Sequence, residues 1–199
     1  AERQQQLLIA ELHHRVKNTL AVVQSMINLS LRTTPDLPTF RQSIGARIAA
    51  LANTHTLLID KQWVSASLTD VLATELAAQG QAGRITLEGP EVRLPAQLAV
   101  TLGMCAHELM TNAVKYGALS TPAGRVAVSW TIEDGTAGER LRLGWVESGG
   151  PPVTAPRHRG FGSMLLERLV GQQSDGHVSL DYAPAGLRAT ITTPVPKAG

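Results

Sequence analysis

The feature that most constrains this chain is a break between two helical patterns. Across residues 4–32, Ile9, Leu12, Val16, Leu20, Val23, Ile27 and Leu31 recur at steps of three and four, the spacing of one helix face. Thr33-Thr34-Pro35-Asp36-Leu37-Pro38 then interrupts the pattern, because two prolines this close cannot both lie inside a continued helix. A second stripe, Phe40, Ile44, Ile48, Leu51 and Leu58, runs from about Leu37 to Ile59. Two long helices around a short breaker make an antiparallel hairpin. Its apolar faces exceed what two helices can hide, so pairing with a second copy into a four-helix bundle is expected.

After Asp60 the texture changes. Lys61 to Leu68 reads as extended, Leu68 to Ala78 as a helix and Arg84 to Leu87 as a strand. Pro95 to Tyr116 is a strong helix, opened by a proline and closed by Gly117. Arg125 to Ile132 and Arg140 to Glu147 alternate as strands around the turn signal Asp134-Gly135, and a Gly/Pro-rich loop covers Ser148 to Gly160. A helix from Ser163 to Gln173 and strands near Val178 to Tyr182 and Arg188 to Thr193 follow. Mixed strands and helices ending in hairpins predict an α+β layered domain rather than a doubly wound parallel sheet. The division expected is a hairpin over 1–62 and a compact domain over 63–199.

A formal charge of +2, with no dense run of Lys and Arg beyond Arg157-His158-Arg159, argues against nucleic acid as a partner. The one cysteine, Cys105, lies in an apolar helical pattern; it excludes an intrachain disulfide, reads as buried packing and is compatible with a reducing compartment. No stretch approaches the roughly 18 apolar residues of a membrane span, so no membrane contact is expected of this fragment.

The hairpin carries two adjacent histidines in "AELHHRVKNTLAVVQS". At about 100° per residue, His13 falls roughly 50° from the centre of the first stripe and His14 roughly 150° from it. His13 is therefore expected at the border of the buried face, and His14 outward among Glu11, Lys17, Asn18, Ala21 and Ser25. An outward histidine is either solvated surface or, being substantially unprotonated near neutral pH, a nitrogen nucleophile. Asn18, one turn on, can hold a phosphoryl group or a water without adding negative charge.

A second constellation lies in "CAHELMTNAVKYG", where Glu108, Asn112 and Lys115 share a helix face at i, i+4 and i+7. A carboxylate, an amide oxygen and an ammonium suit a hard metal ion and phosphate oxygens; the alternative is a plain polar face with a Glu–Lys network. Downstream, Gly160 and Gly162 precede a helix whose open N–H groups favour anions. With the carboxylate-bearing strand end Glu147 and the glycines after it, they point to a nucleotide.

These stretches together resemble the kinase core of sensor histidine kinases of the HWE group, named for a His in the Asn box, here His107, and a Trp-x-Glu, here Trp145-Val146-Glu147. "HRVKNTLAVVQS" is similar to the phosphoacceptor motif, "HELMTNAVKYGALS" to the Asn box and "GFGSMLLERLV" to the later glycine box. The resemblance implies a dimerisation and phosphotransfer hairpin, half of a four-helix bundle, followed by an α/β sandwich ATP-binding domain of the GHKL type. It implies ATP and Mg²⁺, a response-regulator receiver domain and a second copy of the chain as partners, and a cytoplasmic setting. Residue by residue, it makes His14 the phosphoryl acceptor, with Asn18 and Glu108 in the catalytic set, and Asn112 with Glu108 the metal ligands. Lys115, Tyr116, Arg159 and His107 fall in the nucleotide site, Glu147 reads the adenine amino group beside Trp145, and Gly149, Gly160 and Gly162 shape the pocket and its lid. Glu147-Ser148-Gly149-Gly150-Pro151 stands where common histidine kinases have Asp-x-Gly-x-Gly, and Arg15 where an acidic residue often follows the acceptor. The rival readings are a phosphotransferase with a degenerate ATP-binding domain, or another GHKL ATPase or serine kinase.

Overall fold

The computed structural model describes residues 2–34, 36–60, 65–77, 80–135, 138–155, 160–173 and 175–195. The chain forms two compact units, residues 1–48 and 49–199, so helix α2 begins in the first and ends in the second.

The first unit contains α1 (Glu2–Thr33) and the opening turns of α2 (Leu37–Asp60). Asp36 caps α2: its carboxylate accepts the Thr39 backbone N–H at 2.8 Å and the Thr39 hydroxyl at 3.0 Å. Arg47 of α2 is buried and donates to Ser30 of α1 at 3.4 Å and to Ser43. The buried face of α1 is Val22, Ser25, Met26, Leu29 and Ser30, whereas Ile9, Leu12, Val16, Leu20, Ile27 and Leu31 of the expected stripe are exposed. The two faces lie about 120° apart on the helix. This corrects one expectation: Ser25 points inward, while the stripe that His13 flanks is open in the single chain. Both His13 and His14 are exposed.

The second unit is a five-stranded mixed sheet, order β2-β4-β5-β7-β6. The strands are β2 (Ile85–Glu88), β4 (Arg125–Gly135), β5 (Gly138–Ser148), β6 (His177–Ala183) and β7 (Gly186–Pro194). β2 runs parallel to β4 and every other pair is antiparallel. Alternation selects one face: Val126, Val128 and Trp130 of β4 register beside Glu147, Trp145 and Leu143 of β5, and all six are buried. Helices α3 (Leu68–Ala77) and α4 (Ala96–Lys115) cover that face, meeting it around a dry apolar gap of about 10 Å³ lined by Leu72, Leu102, Cys105 and Trp145 among others. Burial pushes the Cys105 thiol far up, as expected of packing sulfur. Helix α5 (Phe161–Arg168) packs against α4 and runs on as a π-helical turn, Leu169–Gln173.

The α+β fold with an amino-terminal hairpin stands as expected, and the differences are local. Asp134-Gly135 does not turn the chain but finishes β4, pairing with Glu139 and Gly138, because the antiparallel ladder runs to the strand tips. A short antiparallel pair, β1 (Ser65–Ser67) with β3 (Arg93–Pro95), has too few residues to leave a periodic signal. α5 starts two residues early, which makes Gly160 its N-cap and puts Gly162 inside its first turn. The expected extended segment over 61–64 and Ala78 lie outside the described residues.

Candidate active site

The amino-terminal element of the site is the turn carrying His14 and Asn18. One helical turn brings the Asn18 side-chain amide within 3.3 Å of His14 Nδ1, on an exposed stretch of α1. Nδ1 is thus engaged by a neutral partner, and Nε2 is the ring nitrogen that Asn18 leaves open.

In the second unit, α4 is buried on nearly every side, which lets it carry polar groups into the interior. Its polar stripe runs from inside to water: Glu108 is 2% exposed, Asn112 half-buried and Lys115 exposed. Glu108 and Asn112 converge on Gly162 of α5. A Cβ built there would sit 3.1 Å from Asn112 Nδ2 and 3.3 Å from Glu108 Oε2, so glycine is what permits this close approach. A carboxylate and an amide oxygen are hard donors, a partial set that fits Mg²⁺ completed by phosphate oxygens and water. Among the described residues no three His, Cys, Asp or Glu side chains gather into an all-protein cage.

Glu147 ends β5 at 3% exposure. Its Oε2 accepts the Ala118 backbone N–H at 2.8 Å and its Oε1 accepts the Trp145 indole N–H at 3.1 Å. Residues two apart on a strand share a face, so the Trp-x-Glu spacing itself brings indole and carboxylate together. Burial raises the Glu147 carboxyl above its ordinary range, and the two donors pull it partly back. Glycines surround this clasp. A Cβ on Gly117 would lie 2.1 Å from Glu147 Oε2, on Gly150 2.4 Å from Ala118 Cα, and on Gly186 2.1 Å from the Glu147 carbonyl oxygen. Gly149, at φ +70°, turns the chain directly after the strand.

One expected site residue, His107, stands apart from these groups. His107 is buried with Nδ1 3.5 Å from Glu75 Oε2, and Glu75, itself 1% exposed, also accepts from the Thr54 hydroxyl at 3.4 Å. Tyr116 is 74% exposed. Arg159, with Arg157 and His158, lies outside the described residues. Reading the sequence missed Gly117, Gly150 and Gly186, whose residue type is the only trace of the clasp, and Ala118, which contributes a backbone N–H and leaves no trace.

A helix-covered open mixed sheet with a carboxylate at a central strand end and a Glu-Asn stripe on the covering helix resembles histidine kinase catalytic domains of the GHKL type in fold. Solved structures agree on the fold. The Erythrobacter litoralis EL346 blue-light activated histidine kinase matches 94% of this chain and 59% of its own at TM-score 0.66 and 20% identity, and the histidine kinase domain from that protein matches 90% and 97% at TM-score 0.56 and 16% identity. The chain belongs to the HWE histidine kinase family: residues 11–91 match the family's model, and a blue-light-activated histidine kinase of Brucella ovis is 34% identical over 197 residues, 98% of this chain. The chain spans 40% of the length of that relative. No helix among the described residues is long and apolar enough to cross a membrane.

Proposed function

We propose that this chain is the kinase core of a two-component system. In this reading residues 63–199 bind ATP with Mg²⁺, His14 in the 1–62 hairpin accepts the γ-phosphoryl group, and the group passes to an aspartate on a receiver domain. Glu147 accepts the adenine amino group, Asn112 and Glu108 hold the metal, and Lys115 and Tyr116 lie toward phosphate and nucleotide, with Gly149 and Gly160 shaping the loop. Bound Mg²⁺ supplies charge neutralisation on the phosphates. The His14 Nε2 lone pair forms the N–P bond as the bond from the γ-phosphorus to the ADP oxygen breaks; ADP leaves with that electron pair. The tautomer that attacks carries its proton on Nδ1, the nitrogen that the Asn18 side-chain amide faces at 3.3 Å, so that Nε2 is the free nucleophile. Catalysis is then positioning and electrostatics, which suits phosphoryl transfer. The exposed apolar stripe of α1 is the surface through which two hairpins pair.

The observation that carries this reading is the convergence of Glu108 and Asn112 on Gly162 in the unit that also buries Glu147 at a strand end. Incubation with γ-labelled ATP tests it. Label that is acid-labile and base-stable, lost in His14→Ala and retained in His13→Ala, is expected. Label on serine, or equal loss in both variants, would overturn it.

A further inference from the structure

Trp145 is the residue whose side chain is best explained by what it does to another. Its ring is 1% exposed and its body fills the apolar layer between α4 and the sheet, in contact with the same small gap as Leu102 and Leu109. The ring cannot turn without opening that core, so the indole N–H is a fixed donor, and it is spent on Glu147 Oε1 at 3.1 Å. The other carboxylate oxygen is held by a backbone N–H at 2.8 Å, equally fixed. An ionised carboxylate has about four acceptor positions; two are filled by the protein, and both fillers are donors. What remains at Glu147 accepts hydrogen bonds and cannot offer one. The backbones of Gly117 and Gly186 pass close by the carboxylate and the Glu147 carbonyl.

We propose that Trp145 is a positioning residue that sets base selectivity: by fixing Glu147 as an acceptor-only group, it makes the nucleotide site prefer a 6-aminopurine over a 6-oxopurine. This rests on the nucleotide site proposed above. A 6-amino group donates to such a carboxylate, whereas a 6-oxo group in the same pose sets acceptor against acceptor. Without the indole N–H, Glu147 loses one of its two anchors; it is free to reorient and to take up a proton, and a protonated carboxyl donates to a 6-oxo group.

The test uses the whole 199-residue chain and measures binding of ATP and of ITP with Mg²⁺ by calorimetry, independently of phosphorylation. The parent is expected to bind ATP at least tenfold more tightly than ITP. Trp145→Phe keeps an aromatic ring but no donor, and is expected to weaken ATP roughly tenfold while leaving ITP within about threefold, collapsing the preference. Leu143→Ala, which opens the same core without touching the clasp, is expected to lose stability but keep the parent's ratio. An unchanged ratio in Trp145→Phe, or the same collapse in Leu143→Ala, would overturn the proposal. Failure of the parent to bind ATP at all would instead overturn the nucleotide site. Should Trp145→Phe fail to fold, the indole N–H resonance of Trp145 in Glu147→Gln decides: a clear shift from the parent supports the contact, and an unmoved resonance overturns it.

Discussion

Replacing Gly103 by alanine should have opposite consequences depending on a residue on another helix. Gly103 lies in the interior of α4, where alanine is favoured over glycine by about 1 kcal/mol on helix propensity. A Cβ at this position would stand 2.6 Å from Thr54 Oγ1, while its next neighbours, Thr54 Cγ2 and Val71 Cγ1, are at an ordinary 3.5 Å. One hydroxyl is therefore the whole conflict. That hydroxyl cannot simply rotate away, since Thr54 is buried and donates to the buried Glu75 carboxylate. Overpacking of this kind costs about 1–3 kcal/mol, against which the propensity gain is set. Thr54→Ala removes the obstacle, at a separate cost of about 1–3 kcal/mol for a buried carboxylate that loses its hydroxyl donor. Gly103→Ala should then lower the melting temperature of the parent but raise that of Thr54→Ala by about 2–4 °C, since each kcal/mol moves a unit of this size by about that much. The four proteins of the cycle, unfolded thermally and by urea, are expected to give a coupling of about 1–3 kcal/mol. Equal shifts in both backgrounds would refute the idea that α2 docks on α4 through this contact.

At Gly162, a Cβ would press within 3.1 Å of Asn112 and 3.3 Å of Glu108. Gly162→Ala is expected to weaken the Mg²⁺-dependent part of ATP binding about tenfold with little change in melting temperature, measured by titration with and without the metal. Stability should also carry two opposed pH signatures. Glu147 holds its proton more tightly when folded than its ordinary value of 4.5, so its contribution is full below 4.5 and is lost as pH rises through the raised native value. Asp36 is the reverse: the Thr39 donors hold its carboxyl below 3.8, so its contribution is present above 3.8 and lost as pH falls through the native value. Melting temperatures across roughly pH 3 to 7 should show both, and Glu147→Gln should abolish only the upper one.

The helices and long strands were legible because their apolar spacing is regular over many residues, and a stripe at steps of three and four admits one local structure. What periodicity does not encode is what covers a face. α1 has two apolar faces, one built on Val22, Met26 and Leu29 and one on Leu12, Val16 and Leu20, and only the first is buried. The longer stripe dominates the pattern, which is why Ser25 was placed on the wrong side. The residues proposed for the nucleotide site were picked out through the motifs that carry the family resemblance. The Glu147 clasp was half legible: Trp145 and Glu147 are visible as a pair, but the second donor is the backbone of Ala118, which any residue except proline supplies. Glu75 carries no sequence signal of its own, and only the fold reveals Thr54 and His107 beside it.

The two halves of the proposed chemistry sit in contrasting surroundings, and the reaction explains why. A base-reading carboxylate must already be in place when the nucleotide arrives, because any reordering is subtracted from binding; Glu147 is accordingly buried, bonded at both oxygens and hemmed by glycine backbones. An acceptor that must meet ATP and later a receiver domain needs the reverse, and His14 is exposed with a single neighbouring amide at one ring nitrogen. The open stripe of α1 follows the same logic. Six large apolar residues left in water forgo about 1.5–3 kcal/mol each relative to burial, an expense that selection for stability alone would remove by polar substitution. At helical spacing they suit the proposed pairing with another hairpin, and charged replacements at Leu12, Val16 and Leu20 should separate the copies while leaving nucleotide binding by the second unit intact.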